Sequence, residues 1–388
     1  MKVSPKRKVC FVITSKIHYT RNKLVLEALR AHPQIMLQIV VGGAALLEKY
    51  GLVESEMIAD GFSIDAHCYM ILDGGVPVTM AKSTGVGLME IASVFERLTP
   101  DIVLIRGDRF EVLSAAIAAA YMNIPVAHIE GGDVTGSIDE SVRHAITKLA
   151  HIHFPTNDES GARIVRMGER PDSVHVVGSP ELEVVIKTDV PPSAELVNYL
   201  GVGTTLDFEG KFLMVMQHPV TTEIESARAQ ILETLRAVSD LKIPTLWFWP
   251  NADAGSDALS KGIRSFREKH DPQHVRFLKY VPADQFYALL RRTACLVGNS
   301  SAGFKEAALL GTPVVNIGTR QGDRYGVQAG SHLVHAGYDS TDIAGAISLQ
   351  VEHGRFESNT FLYREDTASR IAAILAMTEL YSQKIFVD

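Results

Sequence analysis

Residues 101–130, DIVLIRGDRFEVLSAAIAAAYMNIPVAHIE, decide how this chain folds. DIVLIRGD (101–108) is a short apolar run closed by Gly-Asp, the pattern of a buried strand. EVLSAAIAAAYMN (111–123) is rich in alanine and reads as a helix, and IPVAHIE (124–130) is a second short apolar run. Strand, helix and strand within so few residues leave room for a parallel crossover and little else. The same alternation extends outward in both directions. KVCFVIT (8–14) and MLQIVVGG (36–43) are strands, NKLVLEALRAH (22–32) is a helix, and GVGLMEIASVFERLTP (85–100) is a helix stopped by its proline. Downstream, DESVRHAITKLA (139–150) is a helix, and IHFPTN (152–157) and SVHVVGSP (173–180) close this half as strands.

Residues 186–210 begin without apolar periodicity and contain Pro-Pro, which reads as a linker. The alternation then restarts. Strands are expected at 211–219, 244–251, 275–280, 294–299 and 312–318, with helices at 224–238, 257–270, 282–293 and 304–311. The chain is therefore expected to be α/β, with one doubly wound domain over 1–185 and a second over 186–388. A final helix, at about 365–383, docks on either domain. Ligands of open α/β sheets bind beyond the carboxyl ends of the strands, so two such domains facing one another place their functional residues in a shared cleft.

Composition bounds the function. The chain has 388 residues, 46% of them hydrophobic and 21% charged, with a net charge of −7. A pI near 6.1 argues against nucleic acid as a partner. The three cysteines, Cys10, Cys68 and Cys295, are scattered and read as buried thiols in a reducing compartment. The apolar run after the basic N-terminus is too short for a signal peptide, and no apolar stretch reaches membrane length, so a soluble cytoplasmic protein is expected. No G-x-G-x-x-G opens a helix after the first strand, and there is no G-x-x-x-x-G-K-[ST], H-E-x-x-H or paired C-x-x-C. Neither a cofactor nor a metal is expected.

Polar residues gather where strands end. RGDRFE (106–111) offers Asp108, which is either a cap of the following helix or a reactive carboxylate. HIEGGDVTGSIDESVRHAITK (128–148) places Glu130, Asp133, Asp139 and Glu140 among His128, Arg143 and His144, with three glycines freeing the backbone. Glu130, followed by Gly-Gly, is poorly explained as a cap. Asp139 opens a helix, Glu140 and Arg143 are spaced to pair on its surface, and His128 reads as a satisfied core histidine. MQHPVTTE (216–223) puts His218 at a strand end as a phosphate partner or acid/base. In GNSSAGFKEAALLGTPVVNIGTRQGDR (298–324), Ser300, Ser301 and Gly303 precede a helix and form an anion site or an ordinary cap. Glu306 is placed to accept from ribose hydroxyls, and Arg320 and Arg324 to clamp phosphate oxygens.

With MAKSTGVGL (80–88) and WPNADAGSD (249–257), these segments resemble the hydrolysing UDP-N-acetylglucosamine 2-epimerases of the sialic-acid and legionaminic-acid type, over nearly the whole chain. The resemblance implies a GT-B-like architecture of two Rossmann-like domains with an interdomain active site. It implies that Asp108, Glu130 and Asp139 match the catalytic carboxylates and that Ser300–Glu306 holds the nucleotide. His218 stands where non-hydrolysing epimerases carry a histidine. Arg109, Arg143, His144, Asn251 and Asp253 are expected on the sugar side. One departure concerns TSKIHYTRNKL (14–24), where the arginine usual in the first loop is out of register. Lys16, His18 and Arg21 are the replacements, and Arg21 is preferred because an ammonium cannot reproduce the arginine fork. The expected partner is a nucleotide sugar, UDP-N-acetylglucosamine or a UDP- or GDP-2,4-diacetamido-6-deoxy analogue, bound by a homo-oligomer (dimer or tetramer). The expected products are the free manno sugar and nucleoside diphosphate. A non-hydrolysing epimerase and a GT-B glycosyltransferase are the alternatives.

Overall fold

The computed structural model describes residues 5–48, 53–74, 76–135, 138–250, 255–322, 324–381 and 383–387. They form two compact units, one from the chain up to Asp133, Ile138–Val184 and the tail from Leu362, the other from Val134–Ser137 and Val185–Phe361.

The first unit is a six-stranded parallel sheet of β1 (Arg7–Ile13), β2 (Ile35–Gly42), β3 (Ala66–Cys68), β4 (Ile102–Arg106), β5 (Val126–Ile129) and β6 (Ile152–Phe154). Its order is β3-β2-β1-β4-β5-β6, so the winding reverses between β1 and β4. The helices are α1 (Lys16–Ala31), α2 (Val53–Ala59), α3 (Pro77–Leu98), α4 (Phe110–Tyr121), α5 (Ile138–Leu149), α6 (Asp158–Arg166) and α7 (Pro180–Lys187). Alternate residues of β1 feed two cores. Val9, Phe11 and Ile13 pack with Val25, Leu26 and Leu29 of α1, and Cys10 and Val12 pack with Ile91 and Phe95 of α3 and Val112 and Ala116 of α4. Both faces are thus covered, which is why these strands read as unbroken apolar runs.

The second unit contains α8 (Ala194–Leu200), β7 (Gly201–Gly203), β8 (Leu213–Met216), α9 (Ala227–Leu241), β9 (Thr245–Phe248), α10 (Ser256–His270), β10 (Val275–Leu278), α11 (Ala283–Arg292), β11 (Cys295–Gly298), α12 (Glu306–Leu310), β12 (Val314–Ile317), β13 (Leu333–Ala336) and α13 (Ser340–His353). The sheet order is β13-β12-β11-β8-β9-β10-β7, reversing between β8 and β11. Every pairing is parallel except β7 with β10. Leu213 and Val215 face α9, α10 and α13, while Phe212 and Met214 face α8, α11 and α12.

The structure corrects several expectations. TSKIHYTRNKL is not a loop: α1 begins at Lys16, and Ser15 caps it by accepting from the His18 backbone N–H at 3.2 Å. SVHVVGSP makes only one isolated bridge, Val174 to His153. The expected linker at 186–210 holds α8 and the antiparallel edge strand β7, because Arg276 reaches from β10 to the carbonyls of Gly203 and Thr204, both at 2.9 Å. The last helix, α14 (Thr367–Met377), lies on the first unit, where Ile371, Ala372 and Leu375 join the core beside Val25 and Leu29. No described helix is long and apolar enough to cross a membrane.

Candidate active site

In the first unit the polar cluster sits where the winding reverses, at the carboxyl ends of β1, β4 and β5, the crevice position of a doubly wound sheet. Parallel register sets Arg106, the last residue of β4, beside Ile129, and the Gly107 N–H bonds the Ile129 carbonyl at 3.0 Å. Glu130 therefore leaves β5 next to the Arg106 side chain. It does so at φ 71, a left-handed conformation that a non-glycine residue adopts only at a cost. Its carboxylate accepts from Arg106 Nε at 2.9 Å, and Arg106 Nη2 donates to Glu181 on the first turn of α7. Arg106 and Glu181 are 2% and 0% exposed, so this is a buried three-membered ion cluster.

Asp108 accepts from Arg143 Nη2. The cap of α4 is Arg109, not Asp108, which removes the capping reading of that carboxylate. Arg143 is fully buried on α5 and also donates to the Asp133 carbonyl at 2.8 Å. Asp139 stands in the first turn of α5, four residues before Arg143 and so on the same face. Between β5 and α5 the chain turns tightly at Gly132, with φ 83, where a Cβ would come within 2.4 Å of the Ser160 carbonyl oxygen. Asp133 is structural: buried, it accepts from Ser160 Oγ at 2.7 Å.

Burial lowers the proton affinity of the histidines here. Burial, reinforced by Arg106 and Arg109, pushes His18 down to about 3, and its Nδ1 pairs with Thr14 Oγ1 at 2.9 Å. This argues against His18 as a cationic replacement for the displaced arginine. His128 is also pushed down to about 3, mainly by burial, and bonds the Gly107 carbonyl at 2.8 Å. His144 is lowered by partial burial and by Arg143. Lys16 is paired with Glu56 at 2.9 Å, whereas the charge of Arg21 acts on His18 and Glu181. Arg109 holds Glu111 at 3.1 Å.

The second unit repeats the placement. His218 follows β8 and Asn299 follows β11, on either side of the reversal. Asn299 locks the two ends together: its Oδ1 accepts from the His218 N–H at 2.7 Å and its Nδ2 donates to the His218 carbonyl at 2.9 Å. β11 ends at Gly298, φ 128, where a Cβ would meet the Met216 carbonyl oxygen at 2.1 Å. Ser300 caps a 3₁₀ turn, Ser301–Gly303, by accepting from the Ala302 N–H at 3.3 Å, and Glu306 opens α12, 1% exposed. After β12, Arg320 donates to the Asn299 carbonyl at 3.2 Å, and Arg324, 5% exposed, donates to Gln321 at 3.0 Å. Glu223 joins the β8 and β12 loops by accepting from Gln230 at 2.6 Å and Tyr338 at 2.8 Å, as well as from Thr319. Burial opposes its ionisation, but these donors hold it below the usual carboxylate range.

Asp108 is thus brought to Arg143, Glu130 to Arg106, and His218 to the strand end that carries Ser300 and Arg320. Asn251 and Asp253 lie outside the described residues. The sequence marks Asn299 only as preceding the helix with Ser300 and Ser301, and gives Arg106, Glu181 and Glu223 no role. Arg106 and Asn299 stand inside quoted motifs. Glu181 follows Gly-Ser-Pro with nothing around it to suggest a buried charge.

The chain matches the family model described as UDP-N-acetylglucosamine 2-epimerase over residues 27–376. A UDP-N-acetylglucosamine 2-epimerase of Neisseria meningitidis serogroup B is 30% identical over 99% of this chain and 99% of its own. A UDP-N,N'-diacetylbacillosamine 2-epimerase (hydrolyzing) of Legionella pneumophila is 35% identical over 81% of this chain and 82% of its own. Among solved structures, UDP-GlcNAc 2-epimerase from Neisseria meningitidis bound to UDP-GlcNAc has a TM-score of 0.76 at 17% identity, covering 94% of this chain and 98% of that one. Two Rossmann-like α/β units of the kind found in GT-B-fold epimerases, together with a family match across most of the sequence, show that the chain belongs to the UDP-N-acetylglucosamine 2-epimerase family of nucleotide-sugar 2-epimerases.

Proposed function

We propose that this epimerase is of the hydrolysing kind, converting UDP-N-acetylglucosamine or a UDP- or GDP-2,4-diacetamido-6-deoxy analogue into the free manno sugar and nucleoside diphosphate. The observation that carries the reading is the set of carboxylates at one sheet reversal: Asp108 after β4, Glu130 after β5 and Asp139 opening α5. Two of them are held by buried arginines. Relatives named as hydrolysing, from Legionella pneumophila at 35% identity and Campylobacter jejuni at 27%, support the same choice.

The sugar C2 proton becomes acidic as the C1–O bond to the diphosphate breaks and C1 gains oxocarbenium character. A carboxylate takes that proton on the face opposite the leaving group, giving a 2-acetamidoglucal. Water then adds at C1 and a proton returns to C2 from the other side, which inverts that centre. The chemistry needs carboxylates on both ring faces and a donor-rich pocket for the departing diphosphate. Asp108, Glu130 and Asp139 fill the first role. His218, the Ser300–Glu306 segment, Arg320 and Arg324 fill the second, and Arg109, Arg143, His144, Asn251 and Asp253 the sugar contacts.

The test is turnover of a nucleotide-sugar panel in deuterium oxide and in ¹⁸O-water. Free sugar carrying one deuterium at C2 and ¹⁸O at C1, with nucleoside diphosphate, is the expected result. Equilibration to a UDP-manno sugar without free sugar would make the enzyme non-hydrolysing, and turnover only with a sugar acceptor would make it a glycosyltransferase.

A further inference from the structure

We propose that Arg106 and Glu181 are positioning residues for the reaction: Arg106 fixes the Glu130 carboxylate in place and favours its charged form for proton abstraction, and Glu181 anchors Arg106 and moderates its charge. The inference rests on reading Glu130 as an acid/base carboxylate, and adds two residues that the motifs do not point to. Glu130 sits in a left-handed backbone conformation at the end of β5, where the regular pleat has ended. Arg106 tethers its carboxylate from the neighbouring strand, Nε to Oε2 at 2.9 Å. Arg106 is in turn held by Glu181, wholly buried at the start of α7, far along the chain. One guanidinium thus carries two carboxylates, and the charge of Arg21 bears on Glu181 as well, so the network runs from α1 to the end of β5. Arg106 Nη1 is also buried and has no hydrogen-bond partner among the described residues, so the fork is not a saturated structural knot.

The arrangement makes Glu181 a brake on Arg106: it draws on the same positive charge that stabilises ionised Glu130. The other charged and titratable groups that bear on this pocket are His18 and Arg21 of α1, Asp108 and Arg109 after β4, Asp139 and Arg143 of α5, and His128 of β5. His18 and His128 are neutral, Asp108 is engaged by Arg143, and Arg21 acts on Glu181. A structural role and a charge-setting role therefore separate by sign. Removing Arg106 makes Glu130 harder to ionise, and removing the Glu181 charge makes it easier.

The experiment is a pH–rate profile of kcat and kcat/KM for wild type, Arg106→Gln, Arg106→Lys and Glu181→Gln, with UDP affinity by calorimetry. A base must be ionised, so activity falls on the acid side. The acid limb is expected to move up by about one pH unit in Arg106→Gln and down in Glu181→Gln, the usual direction and scale for losing an opposite or a like charge close by. Arg106→Lys, which keeps the charge but not the fork, is expected to recover most of the limb position and less of kcat. UDP affinity is expected to stay within about threefold of wild type while kcat falls about tenfold or more in Arg106→Gln. Limbs that stay at the wild-type position, or that move the same way in both variants, overturn the proposal. Should Arg106→Gln fail to fold, Glu181→Gln, which keeps shape and loses charge, decides alone. Glu130→Gln measured alongside separates the two ideas: full turnover there removes Glu130 from the chemistry, whereas lost turnover with unmoved limbs removes only Arg106 and Glu181.

Discussion

At Asp108 two readings, helix cap or reactive carboxylate, competed in the sequence, and the backbone separates them by giving the cap position to Arg109. Asp108 accepts instead from Arg143, which is fully buried. Asp108→Asn, Glu130→Gln and Asp139→Asn are each expected to lower kcat by about 10²-fold or more, the usual scale for general acid–base groups. UDP affinity, measured by calorimetry, should hardly change, and a variant that loses affinity and rate together has lost structure instead. His18 illustrates a different residue-scale effect. Folding takes its proton affinity from the ordinary histidine range down to about 3, chiefly by burial. Between those values the unfolded chain binds a proton that the native one refuses, so stability rises with pH across that window and is fully present above about 6.5. His18 alone should contribute a slope of roughly 1.4 kcal/mol per pH unit there. Urea denaturation of His18→Gln between pH 4 and 7 should show a slope smaller by about one proton, and an unchanged slope would place the titration elsewhere.

At the scale of elements, what was legible followed from burial. β4, α4 and β5 announce themselves because both faces of the sheet are covered and the apolar runs are unbroken. Elements with one half-exposed face did not. β13 is largely exposed along LVHA, β7 is a glycine-flanked edge, and the first turns of α1 and α3 mix polar and apolar residues. Even so, Ser15 ahead of KIHYTR was a usable cap signal. The buried ion cluster was illegible for another reason: Arg106 and Glu181 meet only through tertiary packing, and nothing local marks either as a partner. Placing Arg21 inside α1 rather than on a loop sharpens its test. Lys16 is engaged by Glu56 and His18 is neutral, while Arg21, whose charge bears on Glu181, is the arginine expected to serve the diphosphate. Arg21→Ala should raise KM and lower kcat together, by about tenfold in kcat/KM for a lost charge-assisted contact, with Lys16→Ala doing less. A silent Arg21→Ala would move that duty to Arg320 or Arg324 after β12.

For the whole molecule, the two units differ in how the chain assembles them. The second draws both of its cores from one stretch of chain, between Ala194 and Val351. The first is discontinuous: one of its cores takes Ala368, Ile371, Ala372 and Leu375 from α14, packed against Val25 and Leu29. The tail is also tied by hydrogen bonds, Arg7 to the Thr378 carbonyl at 2.8 Å, the Ala368 N–H to Glu183 at 2.9 Å and Thr367 to the Val177 carbonyl at 2.7 Å. Burying Ile371 and Leu375 alone is worth about 3–6 kcal/mol, comparable with the roughly 5–15 kcal/mol that holds a domain folded. A fragment of residues 185–361 is therefore expected to fold by itself, with a cooperative melt. If its strand-end loops hold the nucleotide, it should bind UDP by calorimetry while showing no turnover. Residues 1–184 without the tail should be molten or aggregated, and a peptide of residues 362–388 added in trans should restore a cooperative transition. A fragment 1–184 that melts cooperatively without the peptide would show that α14 covers this core without completing it.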